Sequence, residues 1–147
     1  RLYVLDLKYK QLLYTSLVAH GRNSGDVYAT SFSNKYGSYK SSLGFYKTGI
    51  TYHGGNGYSL VLNGLEKGIN DRARERAIVV HGSNYCNTAI VASTGRLGRS
   101  LGCPALPRDI SKQIINIIKD GTLLYIYADD EEYLAQSPIL SEEIPMG

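Results

Sequence analysis

Two residues of this sequence have the type and setting for covalent chemistry. Cys103 stands in "GRLGRSLGCPALP" (95–107), and His81 lies near the end of "AIVVHG" (77–82). A cysteine becomes a nucleophile as its thiolate, which needs a base or a positive field nearby. His81 is a base able to take the thiol proton, and Arg96 and Arg99 are cations able to favour the anion. Gly102 lets the main chain turn so that the N–H groups of Leu101, Gly102 and Cys103 point at one spot. Such a nest would hold the oxyanion formed when a thiolate attacks a carbonyl. Pro104 fixes the chain directly after the nucleophile. The competing reading is a structural histidine at a strand end and a cysteine that packs as a small hydrophobe. The residue types alone leave both open.

The elements that must position this pair are mostly strands. "LYVLDL" (2–7) and "LLYTSLVAH" (12–20), separated by a polar "KYKQ" turn, predict a hairpin. The glycine-, serine- and tyrosine-rich stretch that follows (20–49) predicts short strands and ordered loops. "GYSLVLNGL" (57–65) predicts another strand, and "AIVVHG" a buried one. Asn70 is a candidate N-cap for a brief helix through "DRARERA" (71–77), with Asp71 in its first turn and alternating charge on a solvated face. In "RDISKQIINIIKDG" (108–121), Ile110, Ile114, Ile117 and Ile118 form an apolar helical stripe, with Asp109 near its start and Gly121 as its stop. "TLLYIYA" (122–128) closes the sheet. The expectation is a single mainly-β domain over residues 1–128, with one long and one short helix, followed by a peripheral acidic tail (129–147).

Composition narrows the function classes. A chain of 147 residues, 43% hydrophobic and 20% charged, is one ordinary folded domain. A net charge of +3 without a basic stripe argues against nucleic acid, and no apolar run reaches the roughly 18 residues of a membrane span. Thirteen tyrosines beside two phenylalanines and no tryptophan suit half-buried strand positions. The start at Arg1 suggests an excised or processed domain. His20, His53 and His81 show no short H-x-x-x-H pair, so no metal is expected. His20 reads as structural, whereas His53, Tyr58 and Ser59 are candidates to line a cleft. Cys86 reads as a small buried hydrophobe; the alternative is a disulfide with Cys103 that would silence the pair. "GRLGRSLG" fits neither common phosphate-loop pattern.

"VVHG" followed by "GRSLGCPAL" resembles the catalytic signature of the YkuD-type L,D-transpeptidases, a His upstream of [S/T]-x-G-C, with His81, Ser100, Gly102 and Cys103 in the matching places. "VAHGRNSG", "FSNKYGSYKSSLGFYKTG", "TYHGGNGYSLVLNGLEKGIND" and "RAIVVHG" resemble the murein L,D-transpeptidase catalytic domain branch, over about residues 2–128. The resemblance implies a β-sandwich-like fold and a cysteine acyltransferase that needs no cofactor. Cys103 would attack the bond between meso-diaminopimelate and D-alanine in a peptidoglycan tetrapeptide stem, forming a thioester. An amine of a second stem would then give a 3→3 cross-link. His81 would be the acid–base group, oriented by the carbonyl of Gly82. Carbapenem-type inhibitors and a periplasmic or cell-wall location follow from the same resemblance. Two positions depart from it: Leu101 replaces the usual His, and Ala105 the usual Asn or Arg. For the stem carboxylates Arg99 is the expected partner, with Ser100, Tyr58, Ser59 and His53 completing the binding surface. The alternatives are an L,D-carboxypeptidase, with water in place of the amine, and a non-catalytic wall-binding module, which would have no need of the His81/Cys103 pair. The sequence leaves the oligomeric state open.

Overall fold

A computed structural model of the chain describes residues 1–141. Strands β1 (Leu2–Asp6) and β2 (Gln11–Ser16) form the expected antiparallel hairpin. The Asp6 carboxylate caps its turn, accepting the N–H groups of Lys8 (3.0 Å) and Tyr9 (3.1 Å). The strand expected to run on to His20 stops at Ser16. Beyond it the chain makes isolated bridges, Ala19 to Ala105 and Gly21 to Ser100. Those bridges tie the N-terminal segment to both sides of Cys103.

The main sheet holds β3 (Gly44–Gly54), β4 (Gly57–Gly64), β5 (Val79–Ser83), β6 (Ala105–Pro107) and β7 (Leu123–Ile126), in the order β6-β5-β4-β3-β7. All its pairs are antiparallel except β5 with β6. Of the helices α1 (Thr88–Thr94) and α2 (Arg108–Ile118), it is α2 that covers one face of the sheet. Tyr46, Leu60, Leu62, Val80 and Leu106 of the sheet are buried against Ile114, Ile115 and Ile118 of α2. The helical stripe is rotated from the expected one: Ile115 is buried and Ile117 is 46% exposed. At about 100° per residue, the buried positions Ser111, Ile114, Ile115 and Ile118 share one arc, which places Ile117 at its margin. The close approach needs Gly82, because a Cβ there would lie 2.4 Å from Ser111 Oγ.

The brief helix expected from Asn70 is absent; residues 67–77 form a run of turns. Asn70 is fully buried, and its side chain is committed elsewhere. It accepts the Glu66 N–H (2.9 Å) and donates to the carbonyls of Leu43 (3.1 Å) and Phe45 (3.0 Å), so it clips this segment to the start of β3. The short helix near the site is instead α1, capped by the Asn87 carboxamide, which accepts the Ile90 N–H (2.9 Å), and closed by Gly95 in the left-handed region (φ 85°).

Two further helices follow, α3 (Glu131–Gln136) and α4 (Pro138–Ser141). They are fastened by the fully buried carboxylate of Glu66, which accepts the Tyr133 hydroxyl (2.9 Å), the Ser137 hydroxyl and the Phe45 N–H (3.0 Å). The remainder of the acidic tail, 142–147, lies outside the described residues. Mainly β, with its helices short, the fold agrees with the sequence reading. Among the described residues no helix is long and apolar enough to cross a membrane.

Candidate active site

The parallel pairing of β5 and β6 brings the two chemistry-bearing residues together. Ala105 is the register partner of His81, so Cys103 lies just ahead of that partner on the adjoining segment. The His81 N–H donates to the Pro104 carbonyl (3.4 Å). Side chains alternate along a strand, and successive register partners Tyr52, Ser59, His81 and Ala105 form a row on one face of the sheet. The opposite face is the one covered by α2.

His81 is buried, and its Nδ1 lies 2.9 Å from the Gly82 carbonyl oxygen. A carbonyl only accepts, so Nδ1 carries the proton and Nε2 the free lone pair. Every fully buried side-chain nitrogen and oxygen among the described residues has a partner. Nε2 has none, so it is not sealed within the protein.

Cys103 is partly exposed, and its sulfur accepts the Val79 N–H (3.4 Å) while the thiol donates to the Ala77 carbonyl (3.6 Å). No hydrogen bond joins it to His81 in this resting arrangement. Burial pushes the Cys103 thiol above its ordinary pKa; the Val79 N–H and the Arg76 charge pull it back down. At neutral pH the sulfur is therefore held as a thiol.

The turn carrying Cys103 is braced from within. The buried Ser100 hydroxyl donates to the Cys103 carbonyl (2.6 Å) and accepts the Gly102 N–H (3.1 Å). Ser100 thus braces the turn, and the Gly102 N–H, expected in an oxyanion nest, is engaged by its hydroxyl. The N–H groups of Leu101 and Cys103 have no partner among the described residues and remain available. Gly102 itself is required, with φ +127° and a Cβ position only 2.9 Å from the Lys40 carbonyl oxygen.

The other residues expected on the binding surface have partners within the protein. Arg96 pairs with Asp26 (2.7 Å), and Arg99 donates to the carbonyls of Arg22 (3.1 Å) and Gly25 (3.3 Å). Both arginines hold the 22–26 loop, and neither enters the electrostatic surroundings of the sulfur. Tyr58 and His53 are register partners on the α2 face, where the Tyr58 hydroxyl donates to Asn116 (2.6 Å) and the two rings sit 5.2 Å apart. Only Ser59 shares the face of His81, and its hydroxyl is turned to the Gly57 carbonyl (3.0 Å). His20 contacts the Gly25 carbonyl (3.0 Å). Among the described residues no group of three or more metal-ligating side chains assembles.

Cys86 and Cys103 are both free thiols in separate packing clusters. Cys86 is fully buried, and burial pushes its thiol up to about 11. The cation beside the sulfur is Arg76, hidden in the sequence within an alternating-charge run. Its place just ahead of the His81 strand was the signal available. Two surface pockets, one between residues 30–34 and α3, the other between β2 and the start of α2, include neither His81 nor Cys103.

A family model described as the L,D-transpeptidase catalytic domain matches residues 1–127. Comparison with curated proteins and with solved structures gave no match.

Proposed function

The chain belongs to the L,D-transpeptidase catalytic-domain family, and on that premise we propose that it is a cysteine acyltransferase acting on peptidoglycan stem peptides. The observation that carries this reading is the 2.9 Å contact of His81 Nδ1 with the Gly82 carbonyl, which leaves Nε2 as the base. In the reaction, Cys103 swings from the Ala77 carbonyl toward His81, which takes the thiol proton on Nε2. The thiolate attacks the carbonyl between meso-diaminopimelate and D-alanine, and the resulting oxyanion faces the open N–H groups of Leu101 and Cys103. The imidazolium gives its proton to the departing D-alanine amine, leaving a thioester on Cys103. The side-chain amine of a second stem then attacks the thioester, His81 takes the amine proton, and the sulfur leaves and is reprotonated. Leu101, 57% exposed and two residues before the sulfur, offers an apolar side chain to an incoming stem.

Such a substrate places the enzyme in the periplasm or cell wall, and carbapenem-type β-lactams, which acylate nucleophiles of this kind, are its expected inhibitors. Incubation with a disaccharide tetrapeptide tests the proposal. Release of D-alanine with a 3→3 dimer supports it, and tripeptide without dimer assigns the thioester to water. Unchanged tetrapeptide contradicts both.

A further inference from the structure

The Arg76 guanidinium makes four hydrogen bonds to neutral partners and, among the described residues, none to an acidic one. Nη1 donates to the Ser33 carbonyl (2.9 Å) and the Ser42 hydroxyl (2.7 Å); Nη2 donates to the Ser38 hydroxyl (3.1 Å) and the Lys40 carbonyl (2.8 Å). Among the described residues the only ion pairs are those of Arg96 and Arg99 with Asp26. A half-buried charge is costly without a counter-charge, so a cation kept here without a carboxylate has its balancing anion elsewhere. The loop that Arg76 grips lies directly against the nucleophile turn. Ser41 donates to the Gly102 carbonyl (3.4 Å), and the Lys40 carbonyl that receives Nη2 is the same atom that crowds Gly102. Nη2 itself comes within 3.6 Å of where a Gly102 Cβ would stand.

We propose that Arg76 is a positioning residue for the nucleophile: it holds the 33–42 loop against the 100–103 turn and sets a permanent positive charge beside Cys103. This inference rests on the reading of Cys103 as the nucleophile. The anion that balances Arg76 is the thiolate, formed once His81 has accepted the thiol proton. The opposing influences fit: the Arg76 charge pulls the Cys103 pKa down, and a Cys103 anion in turn favours protonated Arg76, whose pKa burial lowers. The charged and titratable groups about the sulfur are Arg76 from the 67–77 turns and Tyr85 from the turn after β5, with His81 on the adjoining strand β5; Tyr85 and His81 remain in place in every variant below. Arg96 and Arg99, the cations closer in sequence, are spent on the 22–26 loop.

The test is the pH profile of Cys103 alkylation by iodoacetamide, read by peptide mass spectrometry on the full chain. Arg76→Met and Arg76→Gln are expected to shift the midpoint up by about one pH unit, lowering the alkylation rate at pH 7 about tenfold. Arg76→Lys, which keeps the charge, is expected to restore the wild-type midpoint. Arg76→Gln retains two N–H donors and serves where Arg76→Met fails to fold. A wild-type midpoint in a folded Arg76→Gln protein overturns the proposal, because a purely structural arginine would leave the profile unmoved. Alkylation needs no wall substrate, so this outcome is separate from failure of the tetrapeptide reaction.

Discussion

The Nδ1 of His81 lies 2.9 Å from the carbonyl oxygen of Gly82, the residue that follows it. This contact fixes the tautomer without any carboxylate, and the same glycine admits α2 to the back of the strand. One residue therefore orients the imidazole and seats the helix. Replacing His81 by Gln preserves polarity but removes the titrating nitrogen. Acylation of Cys103 at pH 7 is expected to fall about 10²–10⁴-fold, as loss of a general base does elsewhere. Stopped-flow or quenched mass spectrometry measures it, and a loss below about threefold would mean that another group takes the proton.

Ser100 braces the 100–103 turn through two hydrogen bonds, to the Cys103 carbonyl and from the Gly102 N–H. Ser100→Ala leaves both backbone groups without their partner, at a cost of about 2 kcal/mol. For a domain of this size that corresponds to a fall in Tm of about 6 °C. Calorimetry gives the value. Unchanged Tm would show that water satisfies the turn equally well.

Arg99 is bonded to the carbonyls of Arg22 and Gly25, with its side chain 28% exposed. Arg99→Met is accordingly expected to loosen the 22–26 loop, costing about 1 kcal/mol. The apparent KM for a tetrapeptide should stay within about twofold of wild type, a small energy difference. A tenfold rise in KM with unchanged Tm would return Arg99 to the substrate.

Burial holds the Cys86 thiol at about 11, above its ordinary value of 9.0. The folded protein keeps this proton longer than the unfolded chain does. The stabilising contribution is thus complete below pH 9 and is lost as the pH rises towards 11. Denaturant titrations at pH 7, 9 and 10.5 should show wild type losing roughly 2 kcal/mol more than Cys86→Ala across that range. Parallel curves for the two proteins would mean that Cys86 is solvated as the pH rises.

Much of this arrangement was legible in the sequence because it rests on local pattern. The hairpin turn, the α2 amphipathic run and the "VVHG" strand are periodic signals that tertiary contacts reinforce. Ser59 and Tyr58 show where local pattern stops. Neighbours in a strand face opposite ways, and only the pairing register with β5 tells that Ser59 shares the face of His81. Asn70 looked like a cap because Asn often caps, yet two long-range carbonyls and the Glu66 N–H claim its amide. Arg76 looked solvated because its neighbours alternate in charge, whereas the non-helical turns of 67–77 rotate it inward onto a distant serine-rich loop. In the same way Asp26, remote in sequence from Arg96 and Arg99, decided where those charges go.

The proposed activity turns on a single covalent bond to the sulfur of Cys103. Intact-mass and peptide mass spectrometry after exposure to a carbapenem measure it most directly. One adduct per chain, mapped to Cys103, absent in Cys103→Ala and slowed in His81→Gln, is the predicted result. A folded wild-type protein that stays unmodified, or that carries the adduct on a residue other than Cys103, would contradict it.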